Sequence, residues 1–135
     1  MTRPEPRWLG RVVIDEAHFR QIREHGGAYG LRDENALESA LARPRQRWHY
    51  DESARLSNLA AAYAYGLATN HPYVDGNKRV ALVAMVAFLD RNGVELTATN
   101  EDSLSTMLSV AAGQLTEMDL AAWIDEHSTG GRSGS

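Results

Sequence analysis

An all-α fold, one compact bundle of helices around a buried central helix, is what this sequence predicts, and three observations carry the prediction. Apolar side chains recur every three or four residues in segment after segment, the spacing of a helix face. An apolar run of ten residues, Val80–Leu89, lies mid-chain between polar stretches. Strand-like alternation is weak and confined to Val94–Thr97. The 135 residues are 43% hydrophobic, enough for one core without disulfide or metal staples and too few for a second domain of ordinary size. The folded domain is expected over residues 12–127, with a flexible N-terminal arm at 1–11 and a flexible tail at 128–135.

The elements follow in order. Asp15 caps a helix reaching about His25, with Ile14, His18, Phe19 and Ile22 on one side, and Gly26, Gly27 and Gly30 break it. Asp33 caps a second helix that turns Leu37, Ala40 and Leu41 inward and stops at Pro44. A third starts near Asp51, and its stripe of Leu56, Leu59, Ala60, Tyr63 and Leu67 runs on to His71. Asp75 or Asn77 begins a fourth that contains Val80–Leu89. Apolar on every side, this helix is expected in the middle of the bundle, with Gly93 just past its end. Two shorter helices follow, near Asp102–Ala112 and Glu117–His127, the second capped by Thr116.

Composition narrows the function. Lysine and arginine total 14 against 18 acidic residues, a formal charge of −4, which argues against coating nucleic acid by bulk electrostatics; no direct DNA binding is expected. Cysteine is absent, so thiolate chemistry is excluded and a reducing, cytoplasmic compartment is expected. A bilayer span takes about 20 apolar residues, so the ten-residue run reads as a buried helix, and no membrane is expected. The five histidines lack metal-ligand spacing, and neither glycine-rich nucleotide pattern, P-loop or dinucleotide fingerprint, occurs.

The informative segment is His71-Pro72-Tyr73-Val74-Asp75-Gly76-Asn77-Lys78-Arg79, which leads into the apolar helix. A helix N-terminus offers unpaired N–H groups and a partial positive charge, and so favours anions. Gly76 allows close backbone approach, and Asn77, Lys78 and Arg79 add polar donors in the first turn, a pattern that suits a polyphosphate. Asp75 supplies the hard oxygen that a phosphate-bound magnesium ion takes. His71 can accept a proton near neutral pH. Plainer readings stand beside these: an exposed Asp75–Arg79 pair, Asp75 as a cap, Asn77 as a turn residue, and His71 as the end of an apolar stripe. Arg43, Arg45, Arg47 and Trp48 read as a solvated basic loop, and His18 as a core or boundary histidine.

The nine-residue segment resembles the signature loop of the Fic/Doc superfamily, roughly His-Pro-Phe-x-Asp/Glu-Gly-Asn-Gly-Arg-x-x-Arg in the Fic branch. Tyr73 stands for the phenylalanine, Lys78 for the glycine and Leu82 for the second arginine. The last two departures are shared with the death-on-curing (Doc) toxin branch, as are Gly30-Leu31-Arg32-Asp33, Leu37 to Pro44, and Phe88 to Gly93. The resemblance spans roughly Asp15 to Glu126.

The resemblance implies an all-helical toxin of a bacterial toxin–antitoxin pair, using ATP and Mg2+ and restrained by a cognate antitoxin chain. The Doc branch implies a kinase acting on a threonine of elongation factor Tu, and so a block of protein synthesis. The Fic branch implies AMP transfer instead, and a catalytically idle antitoxin-binding module is the third alternative. Carried over by position, His71 is the general base and Asp75 the magnesium-associated acid. Gly76, Asn77, Lys78 and Arg79 are the nucleotide- and phosphate-binding positions, with Lys78 and Arg79 also counted as catalytic. Tyr73 is the aromatic anchor of the loop. Thr97–Glu101 is too weak a match to imply an internal inhibitory helix.

Overall fold

The computed structural model describes residues 3–130, and its six helices make an all-α bundle with one minimal sheet. Along the chain lie α1 (Arg11–His25), α2 (Glu34–Tyr50), α3 (Leu56–Asn70), α4 (Asn77–Arg91), β1 (Val94–Leu96), α5 (Asn100–Ala111), α6 (Glu117–Glu126) and β2 (Ser128–Gly130). No helix is long and apolar enough to cross a membrane among the described residues.

The innermost element is α3, and α4 is not. Eleven of its fifteen residues are buried, five of them alanines, and it packs against α2, α4, α5 and α6. Small side chains let neighbours approach closely. At Gly66 an added Cβ would lie only 3.2 Å from the Cα of Ala40 in α2. α4, with its unbroken apolar run but four charged residues at its ends, leaves Val86 exposed and Leu82 and Val83 partly so. Burial at the centre of this bundle follows residue size as much as hydrophobicity.

Several expected boundaries move: α1 starts at Arg11 and not after Asp15, and α3 at Leu56 and not near Asp51. Pro44 does not end α2: it sits buried inside a helix that continues to Tyr50. Proline removes one N–H bond to the carbonyl four residues back, here that of Ala40, and the helix bridges the loss because its far half is pinned. Arg43 pairs with Glu117 of α6 at 2.7 Å, and Arg47 with Asp51 at 2.9 Å and Glu117 at 3.4 Å. The basic run is therefore a helix-to-helix clamp and not a solvated loop, with Arg45 set over the Trp8 ring.

The arm is likewise held where it is described. Leu9 is buried, and its N–H donates to the Tyr63 hydroxyl at 2.9 Å deep in the core, where burial pushes that phenol above the usual tyrosine range. Trp8 stacks on Phe88, and Arg7 bonds through its backbone N–H to the Asn92 side chain at 2.8 Å. At the other end, Ser128–Gly130 forms an antiparallel pair with Val94–Leu96 and so belongs to the fold. Residues 1–2 and 131–135, also assigned to arm and tail, lie outside the described residues.

Three helices, α2, α5 and α6, start at side-chain caps. The Asp33 carboxylate accepts from the Ala36 N–H at 3.0 Å. Thr116 and Asp119 form a reciprocal capping box at α6. Thr99 caps α5, which places Thr97 in the strand connection and Glu101 in the first turn of α5, so Thr97–Glu101 is spent on ordinary structure.

Candidate functional site

The loop from His71 to Gly76 joins the C-terminus of α3 to the N-terminus of α4, at one end of the central helix pair. Its shape is set by two left-handed residues. His71 ends α3 at φ 51°, ψ 55°, and Gly76 opens α4 at φ 81°. A side chain at Gly76 would be strained by that φ and would also press on Ile22 of α1 at 3.2 Å.

Between these points the backbone is braced from several directions. The Asn77 side chain turns back on the loop: its Oδ1 accepts from the Tyr73 N–H and its Nδ2 donates to the Tyr73 carbonyl, both at 2.9 Å and both buried. Residues Gly30–Asp33 form a second brace, with the Val74 N–H donating to the Gly30 carbonyl at 2.9 Å and the Arg32 N–H to the Pro72 carbonyl at 2.8 Å. The Arg32 guanidinium covers the end of α3, donating to the carbonyls of His71 at 2.6 Å and Asn70 at 3.0 Å. This is the charge a helix C-terminus favours.

A third brace comes from α1. The Tyr73 hydroxyl donates to Asp15 Oδ1 at 2.7 Å, and Arg11 holds the other Asp15 oxygen at 2.9 Å. Arg11 also grips Glu34 at 2.6 Å, keeping that carboxyl below the usual carboxylate range. The His18 ring stacks on Tyr73 at 3.8 Å and donates from Nε2 to the Asp75 carbonyl at 2.8 Å, which fixes Nε2 as the protonated nitrogen.

Burial above all, then the bond to the Asp15 carboxylate, pushes the Tyr73 phenol far above the ordinary tyrosine range. The sign of the consequence is fixed. Above about pH 10 the unfolded phenol loses its proton while the folded one keeps it, so stability falls as pH rises. The wild-type protein is expected to lose up to about 1.4 kcal/mol per pH unit from this group over the alkaline range. Tyr73→Phe should begin less stable at pH 8, by about 1–3 kcal/mol for a bond to a charged acceptor, and decline less steeply. Urea unfolding of both proteins from pH 8 to 11 measures the difference in slope.

Beside the loop opens a cleft of about 550 Å³. The first turn of α4 forms its floor, Gly27 and Asp75 one side, and Leu104 and Leu108 of α5 another. Lys78 and Arg79 line it half-buried, and neither has an ion-pair partner among the described residues. The backbone N–H groups of Gly76 to Arg79 likewise find no acceptor there. Asp75 does not pair with Arg79; its Oδ2 accepts from the Ala28 N–H at 2.8 Å, and Oδ1 is left open. Gly27 makes that approach possible, since a Cβ there would lie 3.2 Å from the Asp75 Cβ.

Asp75, Gly76, Asn77, Lys78 and Arg79 thus meet at one cleft, while His71 does not line it: its imidazole is exposed a few residues upstream. Asn77 needs revision. Its carboxamide is consumed by Tyr73, so only its backbone N–H remains for an anion. Asp15, His18, Gly27 and Arg32 complete the support, and sequence reasoning missed all but a hint of His18. As for magnesium, Asp75 is one open carboxylate oxygen, and no cluster of three metal-ligating side chains exists among the described residues. That donor set fits an ion carried in by a polyphosphate, which needs only one or two protein carboxylates.

Fold and loop together define a helical domain with open N–H groups and two cations at the N-terminus of one central helix. The comparisons make this specific. A family model described as the Fic/DOC family matches residues 8–89. Toxin Doc of Mycolicibacterium smegmatis is 46% identical over 74 residues, which is 54% of this chain and 57% of that protein. Protein kinase doc of Escherichia phage P1 is 32% identical over 104 residues, covering 77% of this chain and 82% of that one. The chain belongs to the Fic/DOC family, on its Doc branch.

Proposed function

We propose that this chain is the toxin of a toxin–antitoxin pair and acts as an ATP-dependent kinase on a protein hydroxyl. The observation that carries the reading is the cleft at the start of α4, where four unpaired N–H groups and two unpaired cations face one open carboxylate oxygen. The relatives, one named a toxin and one a protein kinase, support it.

In this reading the phosphates of ATP lie along the first turn of α4. The N–H groups of Gly76 to Arg79 and the side chains of Lys78 and Arg79 neutralise their charge. Asp75 Oδ1 would hold a Mg2+ ion accompanying the nucleotide, and that ion would supply neutralisation of phosphate charge. His71, exposed to solvent, meets an acceptor hydroxyl presented by another protein and takes its proton. The oxygen then bonds to the γ-phosphorus as the bond to the β-phosphate bridging oxygen breaks, and ADP leaves.

Lys78 supports phosphate over AMP transfer. Its four-carbon stem and charge occupy the position that is glycine in the Fic branch, leaving less room for an α-phosphate there. A threonine of elongation factor Tu is the proposed acceptor, and an antitoxin segment the proposed restraint, acting in the cytoplasm.

Incubation with target extract and ATP labelled separately at the α- and γ-positions tests the reaction. Label from the γ-position alone is expected on protein. Label from the α-position makes the enzyme an AMP-transferase, and label from neither, with no growth arrest on expression, makes it an idle binding module.

A further inference from the structure

A second cavity lies at the opposite end of the same helix pair. It has a volume of about 580 Å³ and is bounded by the arm, the N-terminus of α3 and the C-terminus of α4. Because α3 is fifteen residues long, about 20 Å of helix separates it from the loop. Four arginines line it: Arg3, Arg7, Arg55 and Arg91. On a chain of 14 basic residues and net charge −4, that is an unusual concentration of positive charge.

These arginines are not spent on carboxylates. Only Arg55 is paired, with Asp125 at 2.9 Å. Arg3 lies 4.3 Å over the Trp48 ring and donates from Nη2 to the Trp48 carbonyl, while its Nη1 is buried with no partner. Arg91 reaches only the Trp8 carbonyl, at 3.0 Å, and the Arg7 guanidinium has no partner among the described residues. The one carboxylate in the wall, Glu5, is bonded to the Trp8 indole at 2.8 Å and forms no ion pair with any of them.

Grouping cations around a cavity costs repulsion, and beyond the contacts of Arg3 with Trp48 and Arg91 with the Trp8 carbonyl it is an entering anion that would offset it. The start of α3 adds little to the charge of this wall, since the Arg55 N–H is taken by the Asn58 side chain at 2.9 Å, and Leu56 and Pro6 supply apolar surface beside the arginines. The volume lies within the range of small-molecule sites. We propose that this cavity is a second binding site, distinct from the cleft at α4, for a phosphorylated small molecule of about nucleotide size. Its phosphates would face Arg3, Arg7 and Arg91, and its uncharged part Leu56 and Pro6.

The three tryptophans provide the readout, since Trp48 lines the cavity and Trp8 packs edge-on against Trp48, while Trp123 stacks on His127 in another part of the fold. Inorganic pyrophosphate and ADP, each titrated to millimolar levels into nitrogen-labelled protein, are expected to shift the indole signals of Trp48 and Trp8 and leave Trp123 in place. The shift should persist in Lys78→Ala/Arg79→Ala, which disables the cleft. In Arg7→Ala/Arg91→Ala, two exposed changes whose own spectrum reports folding, affinity should fall at least tenfold. Absence of any Trp48 shift would overturn the proposal, as would its loss in Lys78→Ala/Arg79→Ala. Hexaglutamate binding more tightly than either phosphate compound would also overturn it, in favour of an acidic protein segment.

Discussion

His71→Gly is expected to leave the protein as stable as it was, within about 1 kcal/mol, and to reduce phosphate transfer by about 10²–10⁴-fold. His71 is the sole non-glycine residue with positive φ among the described residues. A left-handed conformation costs an L-residue about 1–2 kcal/mol, which glycine would recover, less the entropy it adds to the unfolded chain. Among the described residues the exposed imidazole has no hydrogen-bond partner; the His71 carbonyl is used, by Arg32. Histidine at this position is therefore not explained by folding. His71→Ala keeps the backbone cost and loses the same base, so it should match glycine in activity and wild type in stability. Thermal unfolding of the three proteins beside initial rates of γ-label transfer checks both halves. Transfer within tenfold of wild type in a folded His71→Gly protein would remove His71 as the base.

What could be read in advance divides along a physical line. Local signals were legible: the Asp33 and Thr116 caps, the helix-breaking Gly26, and the anion-favouring start of α4 all depend on residues within one turn of each other. Long-range commitments were not. Pro44 carries a stop signal in any local reading, and the contacts that hold the helix through it include packing on α3 and the ion pairs from Arg43 and Arg47 to Glu117, some 70 residues away. Asp15 reads as a cap, yet it lies inside α1 and serves the phenol of a residue 58 positions on. The centre of the bundle is misplaced by a local reading because the unbroken run Val80–Leu89 stands out, whereas taken whole α4 carries four charged residues and α3, rich in alanine, none. The site shows the same division. Five of the cleft's positions, Asp75 to Arg79, are contiguous and stand out together, whereas the residues that hold them still come from α1 and from Gly27–Asp33.

Asn77 turns that distinction into a measurement. If its carboxamide is a brace, Asn77→Ala leaves the Tyr73 N–H and carbonyl unpaired in a buried site. Each such group costs about 1–3 kcal/mol, so the expected loss is about 2–5 kcal/mol in urea unfolding. Asn77→Asp sharpens the test because it keeps the shape. One oxygen still accepts from the Tyr73 N–H, but the other confronts the Tyr73 carbonyl with a second acceptor where Nδ2 donated. This variant should also be destabilised, despite adding a negative charge close to the helix N-terminus, where charge alone would stabilise by about 0.3–1 kcal/mol. Both changes should speed hydrogen exchange at the Tyr73 amide and loosen the stacking of His18 on Tyr73. Loss of transfer would not decide the matter, since a brace and a phosphate ligand predict it equally. Stability does: an Asn77→Ala protein as stable as wild type, with only nucleotide affinity reduced, would return the side chain to the phosphate-binding set. The expected outcome instead ties the shape of the anion site to one buried amide that need not touch the anion.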